Sequence, residues 1–255
     1  MIRVAALCLL LSALAAASAR AEKLTIALSA TEIDISASFT GATLAIFGVI
    51  EPDAGSPPAE PDYHVAVTVL GPRETVVVRE KQRLLGIWAN RDARVIINPP
   101  SYYSMSASAP LDYLAPQNTL SRLQIGFDNL AFVFQGGAMV NDPGSAEFRD
   151  AFLRLKQEAR LYSDDELVTF IGNTVFRTSA FLPANLPIGS YTVVAYLFSR
   201  GELIARAESP IEVSKTGFEA TMAAFARAQA LPYGILCVAL ALFVGWLGGV
   251  IFRRD

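Results

Sequence analysis

Cysteine and histidine are nearly missing from this chain, and their few positions rule out much chemistry. Among 255 residues, two are cysteine and one is histidine. Cys8 falls in an apolar run at the N-terminus and Cys237 in another at the C-terminus. The folded part between them, residues 22–214, is roughly 190 residues long, ample for one core or two small ones, and contains no cysteine. It needs no disulfide and offers no thiolate metal site. His64 stands alone among alternating strand-type neighbours, so a Ser-His-Asp triad or a multi-histidine metal site would depend on it by itself. No dinucleotide-binding glycine fingerprint, P-loop, zinc-protease or nucleophile-elbow pattern occurs. Excess positive charge is missing too: the net charge is −3 and the isoelectric point about 5.3, which is no footprint for nucleic acid. These absences lead us to expect a protein that is not an enzyme and uses no cofactor or metal.

The chain is instead 53% hydrophobic, with uncharged residues unbroken from Leu231 to Phe252 and Arg253-Arg254 following. At about 1.5 Å per helical residue the run reaches roughly 33 Å, enough to cross a hydrocarbon core. Residues 231–252 therefore read as one transmembrane helix with a short tail at 253–255. Residues 1–21 read as a signal peptide: Arg3, an apolar segment from Val4 to Ala17, then Ala19-Arg20-Ala21 as the cleavage pattern. A cleaved signal exports the domain, and the arginine pair keeps the C-terminus inside. In a bacterium this predicts an inner-membrane, single-pass protein with a periplasmic domain and a cytoplasmic C-terminus.

The domain, residues 22–214, reads mainly as β. Leu24–Leu28 and Glu32–Ser36 alternate with period two, and Thr43–Ile50 is an apolar run suited to a strand covered on both faces. Four prolines between Glu51 and Asp62 mark an exposed loop. His64–Leu70, Glu74–Arg79 and Arg94–Ile97 continue as short strands divided by turns, the pattern of an immunoglobulin-like β-sandwich. From Leu111 to Ile171 the period changes to that of a helical insert. Asn118 or Thr119 caps a first helix carrying Leu120, Leu123, Phe127 and Leu130. Asp142-Pro143 opens a second, with Phe148, Ala151, Phe152, Leu155 and Ala159 inward and Arg149, Arg154, Lys156 and Glu158 outward. Ser163-x-x-Glu166 is spaced as the capping box of a third, whose first turn would hold Asp164-Asp165-Glu166. Strands resume at Asn173–Leu182, Tyr191–Phe198, Leu203–Ala207 and Ile211–Val213. Leu186-Pro187-x-Gly189-x-Tyr191-x-Val193 resembles the terminal hairpin of immunoglobulin-like domains, where the glycine turns and the tyrosine packs the corner. Residues 215–230 form an alanine-rich juxtamembrane helix, continuous with the anchor after Pro232 adjusts its direction.

Two stretches are candidate interaction sites. Trp88, Asn90, Arg91, Arg94, Tyr102 and Tyr103 gather aromatic, basic and amide groups around Pro99-Pro100, a stiff backbone suited to a ligand or partner surface; alternatively Trp88 and Tyr103 fill the core. In the anchor, Ala241, Gly245 and Gly249 recur every four residues and let a second helix approach, from another copy or from a multi-span transporter.

Gly86-Ile87-Trp88-Ala89-Asn90, Pro100-Ser101-Tyr102-Tyr103, Leu161-Tyr162, Leu182-Pro183-x-x-x-Pro187-x-Gly189-x-Tyr191, Tyr233-Gly234, Gly245-Trp246 and Phe252-Arg253 together make nearly the whole mature chain resemble the alphaproteobacterial "putative transmembrane protein" family, which has no established biochemical activity. Members are often encoded beside TauE/SafE-type sulfite or sulfonate exporters. The resemblance therefore implies an accessory role in anion export, with a periplasmic small-anion binding module as the alternative. It carries no functional residues over.

Overall fold

Alternating and apolar strand patterns fold here into two facing sheets and a smaller third one. The computed structural model describes residues 22–52, 62–84, 87–136, 143–217, 222 and 225–251, with the side chains of residues 81–91, 143–144 and 251 excepted. The expected signal peptide at 1–21, most of the proline loop and the tail at 253–255 lie outside the described residues.

The first sheet runs β1 (Lys23–Leu28), β3 (Gly41–Glu51), β11 (Val175–Pro183), β10 (Thr169–Ile171), all antiparallel. The second runs β2 (Glu32–Ile35), β13 (Glu202–Lys215), β12 (Gly189–Ser199), β4 (Tyr63–Leu70), β7 (Tyr103–Ala107), β9 (Tyr162–Leu167). Its two outer pairs, β2 with β13 and β7 with β9, are parallel. Consecutive β1 and β2 lie in different sheets, as do β9 and β10. On both sides of the sandwich the chain thus crosses from one sheet to the other, leaving only short edge strands there. The third sheet is a long hairpin, β5 (Val76–Leu84) and β6 (Ile87–Ile97), with β8 (Val133–Phe134) beside it.

Leu44, Ile46, Ile50, Phe176, Ala180 and Leu182 of the first sheet, and Val65, Val67, Val69, Val193 and Leu197 of the second, are buried. Strands β4 and β12 are buried on both faces because a second layer lies outside them. This layer contains α1 (Leu111–Leu114), α2 (Gln117–Leu123) and a 3-10 turn at Phe127–Asn129, with Leu114, Leu120 and Ile125 buried.

Several expectations need correction. The strand expected to be covered on both faces, β3, is not: Phe47 and Val49 are 44% and 43% exposed. Apolar composition reports tolerance of burial, and among the described residues no second layer reaches that face. The helical insert is shorter than 111–171. The helix expected to be capped by Asn118 or Thr119 is α2, which starts after Pro116 and stops at Leu123, because Gln124 adopts a left-handed conformation (φ 55°). The insert's last part, residues 162–171, is strand, so Asp164, Asp165 and Glu166 are edge-strand residues and no helix cap. The expected final two strands form one, β13, in which Pro210 is opposite Thr192.

Helix α3 (Pro143–Glu158) forms as expected, with Phe148 and Phe152 buried, but Leu155 is exposed. Arg149 and Lys156, expected in water, keep only 17% and 12% of their side chains exposed. The anchor is α4 (Ala230–Ile251). Pro232 stands in its first turn, where a missing N–H costs nothing, and the amide of Tyr233 still bonds the Gln229 carbonyl at 3.1 Å.

Candidate functional site

Adjacent residues of an extended chain point to opposite faces, and this removes two of the six residues of the proposed recognition surface. Tyr102 and Tyr103 are fully buried. Tyr102 enters the space between the two main sheets, donates its hydroxyl to the Phe181 carbonyl at 2.8 Å, and packs its ring 5.8 Å from that of Tyr191. Tyr103 enters the outer layer: its hydroxyl donates to the Gln124 carbonyl at 3.1 Å and accepts from the Gly126 amide at 2.9 Å. Both hydroxyls are committed to the backbone, so neither serves a ligand. The core alternative weighed for Tyr103 is the observed one.

Burial sets the electrostatics of these rings. The hydroxyl of Tyr102 is pushed up to about 12, chiefly by desolvation. Desolvation also moves Tyr103, Tyr162 and Tyr191 well above the ordinary phenol value. All stay neutral at physiological pH.

Around Tyr103 the outer layer builds an aromatic cluster. Phe127, Tyr162 and Phe152 pack in sequence, and Phe132 meets Phe152 edge-on at 5.5 Å. Lys156 of α3 reaches over Phe152 and Tyr162, at 5.6 and 5.9 Å from their ring centres. Its ammonium pairs with Glu74 at 2.6 Å and donates to the Ser101 carbonyl at 3.1 Å. The arrangement bolts the base of the β5–β6 hairpin to the sandwich.

Trp88, Asn90, Arg91 and Arg94 all belong to β6, whose ladder with β5 steps from Glu80–Asp92 to Lys81–Asn90. Arg91 is the extra residue of that bulge. The side chains of Trp88, Asn90 and Arg91 lie outside the described residues. Arg94 is exposed, with its guanidinium 6.0 Å from the Phe148 ring centre. Arg94 on the hairpin and Tyr102 in the core do not converge on one pocket.

Among the described residues the domain has two surface hollows of note. One of about 250 Å³ lies between β5 and α3, lined by Val78, Glu80, Phe148 and Arg154 among others. The other, about 530 Å³, lies over the first sheet beside Phe47, Glu166 and Arg177. Glu166 there accepts a hydrogen bond from Ser179 at 3.1 Å, and neighbouring Asp164 has its carboxyl raised by burial and by Asp165. Sequence reasoning gave no sign of either hollow, since both arise where separate elements meet. Among the described residues no group of three or more histidine, cysteine, aspartate or glutamate is placed to hold a metal.

The anchor presents the other candidate. Ala230–Val250 has a mean hydropathy of 2.1 with none of its residues buried, and it is long and apolar enough to cross a membrane. A Cβ built on Gly245, Gly248 or Gly249 meets nothing within 4 Å, so the small-residue row formed with Ala241 lies open along the helix.

No curated protein matches the sequence. The family described as "Putative transmembrane protein (Alph_Pro_TM)" matches residues 23–254, from the first strand of the sandwich to the end of the anchor, and the chain belongs to that family.

Proposed function

We propose that this chain is a non-enzymatic accessory protein of an inner-membrane transporter, of the sulfite or sulfonate anion type that the family resemblance implies. In this reading the signal peptide is removed, the sandwich stands in the periplasm, and α4 crosses the inner membrane with its C-terminus in the cytoplasm. The observation that carries the reading is the row Ala241, Gly245, Gly249, spaced every four residues and open on an apolar helix long enough to cross a membrane. Helices associate in lipid by close packing over small residues, and a tethered domain then meets its partner at high effective concentration.

The domain itself supports an immunoglobulin-like reading, a class that commonly serves as a rigid interaction scaffold. The order β1-β3-β11-β10 facing β13-β12-β4 corresponds to the ABED and GFC sheets. The Tyr191 hydroxyl donates to the Pro187 carbonyl at 2.5 Å, as a tyrosine corner does. The alternative, a small-anion binding module using Arg91, Arg94 and Tyr102, loses support because Tyr102 is buried and its hydroxyl taken. Crosslinking in native membranes, followed by purification of the tagged chain and mass spectrometry, tests the proposal through recovery of a multi-span transporter.

A further inference from the structure

We propose that the β5–β6 hairpin is a second membrane contact, docking one face onto an anionic lipid surface. It rests on the membrane anchoring of the chain and is independent of the transporter reading.

The face is defined by register. On β5, Val77, Arg79, Lys81 and Arg83 recur every second residue and share one side of the strand. Their partners on β6 are Val95, Ala93, Asn90 and Trp88. Ile97 follows Val95 on the same side and pairs with Val133 of β8. The opposite side packs on α3, where Val78, Ile96 and Phe134 are buried. Among the described residues nothing covers this face at its base: Val77 is 47% exposed, Ile97 37% and Val133 57%. Register thus continues this aliphatic foot into the positions of Arg79, Lys81 and Arg83, with Trp88 paired to Arg83.

Charge selects the occupant. By register the proposed face carries three basic residues (Arg79, Lys81, Arg83), while Glu80, Asp92 and Arg94 alternate onto the α3 side. The face's charge of +3 stands in a chain whose total is −3. Apolar area combined with basic residues is the composition of interfacial membrane contacts, and tryptophan favours the headgroup level. Each basic residue near an anionic surface adds about 1 kcal/mol of attraction.

Topology puts the face within reach. The hairpin leaves the sandwich after Leu70 and returns at Tyr103, which pair with each other; Leu70 also pairs with Thr192, itself opposite Pro210. Lys215, the last residue of β13, lies beyond Pro210 at this same end of the sandwich. Residues 216–229 then lead to the anchor, a tether of at most about 50 Å if fully extended.

The test uses the full-length chain with Trp246→Phe, which leaves Trp88 as the sole tryptophan, inserted into vesicles containing brominated lipids. With phosphatidylglycerol present, Trp88 emission should be blue-shifted and quenched about twofold more than in pure phosphatidylcholine, and the Arg79→Glu/Lys81→Glu/Arg83→Glu variant should remove the difference. Equal emission in both lipids, or quenching indifferent to the charge reversal, overturns the proposal. Protection of Trp88 in native membranes but not in pure lipid vesicles overturns it as well, because the occupant would then be a protein. Should circular dichroism show the triple variant misfolded, Val77→Asp replaces it, with the same loss of quenching expected.

Discussion

Lys156 stands 2.6 Å from Glu74 and 5.6 Å from the centre of the Phe152 ring, so one ammonium group joins α3, the aromatic cluster and the base of the β5–β6 hairpin. A largely buried charge is costly to leave unpaired, and the lysine stem also covers ring surface. Lys156→Ala is expected to destabilise the domain by about 2 kcal/mol, less than a fully buried pair because Glu74 is 42% exposed. Denaturant unfolding of the detergent-solubilised chain measures it. A double-mutant cycle with Glu74→Gln should return a favourable coupling between the two.

Tyr191→Phe removes the hydrogen bond to Pro187 while keeping the buried ring. The carbonyl keeps access to solvent or to local rearrangement, so the expected loss is about 1 kcal/mol. Tyr102→Phe strips the Phe181 carbonyl of its donor between the sheets and should cost at least as much, about 1–2 kcal/mol. A thermal shift assay on both variants ranks them.

Alkali should weaken the fold through the same tyrosines. The folded chain holds the Tyr102 proton up to about 12, against an ordinary value of 10. Above pH 10 the unfolded chain therefore binds fewer protons than the folded one, and stability falls as pH rises. The contribution is complete below pH 10 and is lost progressively through about 12. Tyr103, Tyr162 and Tyr191 act in the same direction. Tyrosinate absorbance followed with pH should rise for these rings together with loss of the circular dichroism signal.

Gly48 faces Phe176 across the β3–β11 pairing, and a Cβ built on it would stand 2.0 Å from the ring. Gly48→Ala must displace a fully buried aromatic side chain, at an expected cost of about 1–3 kcal/mol. Phe176→Leu should restore part of that loss in the double variant, which unfolding midpoints would show.

These residues also mark where sequence was readable. The β12–β13 hairpin was legible because Gly189, Arg200-Gly201 and the run Tyr191–Phe198 are local signals that tertiary packing reinforces. Helix α3 was legible from Phe148 and Phe152, and the anchor from length and hydropathy alone. Strand β9 was not: only Tyr162 is well buried in it, so its alternation is faint, while Ser163 and Glu166 happen to match a capping box. The β5–β6 hairpin appeared as two unrelated fragments, since charged and polar residues between Arg79 and Asp92 hide the period of an arm with little core to face. The Tyr102-Tyr103 pair left two readings open, surface or core, for a related reason. Aromatic residues beside prolines look alike whether they recognise a ligand or fill two layers of a core, and only the pairing of β7 with β4 on one side and β9 on the other decides it.

The accessory role depends most directly on the small-residue face of α4. The measurement is co-purification after crosslinking in native membranes, comparing the wild-type chain with Gly245→Ile/Gly249→Ile, each tagged and quantified by mass spectrometry. A Cβ at either glycine meets nothing within 4 Å among the described residues, so the double variant should fold and insert normally. Recovery of a multi-span transporter with wild type, reduced at least about tenfold in the variant, is the predicted result, since close helix packing cannot survive two branched side chains at the contact. Equal recovery from both chains, or a wild-type chain that emerges alone or only with its own copies, would contradict the account.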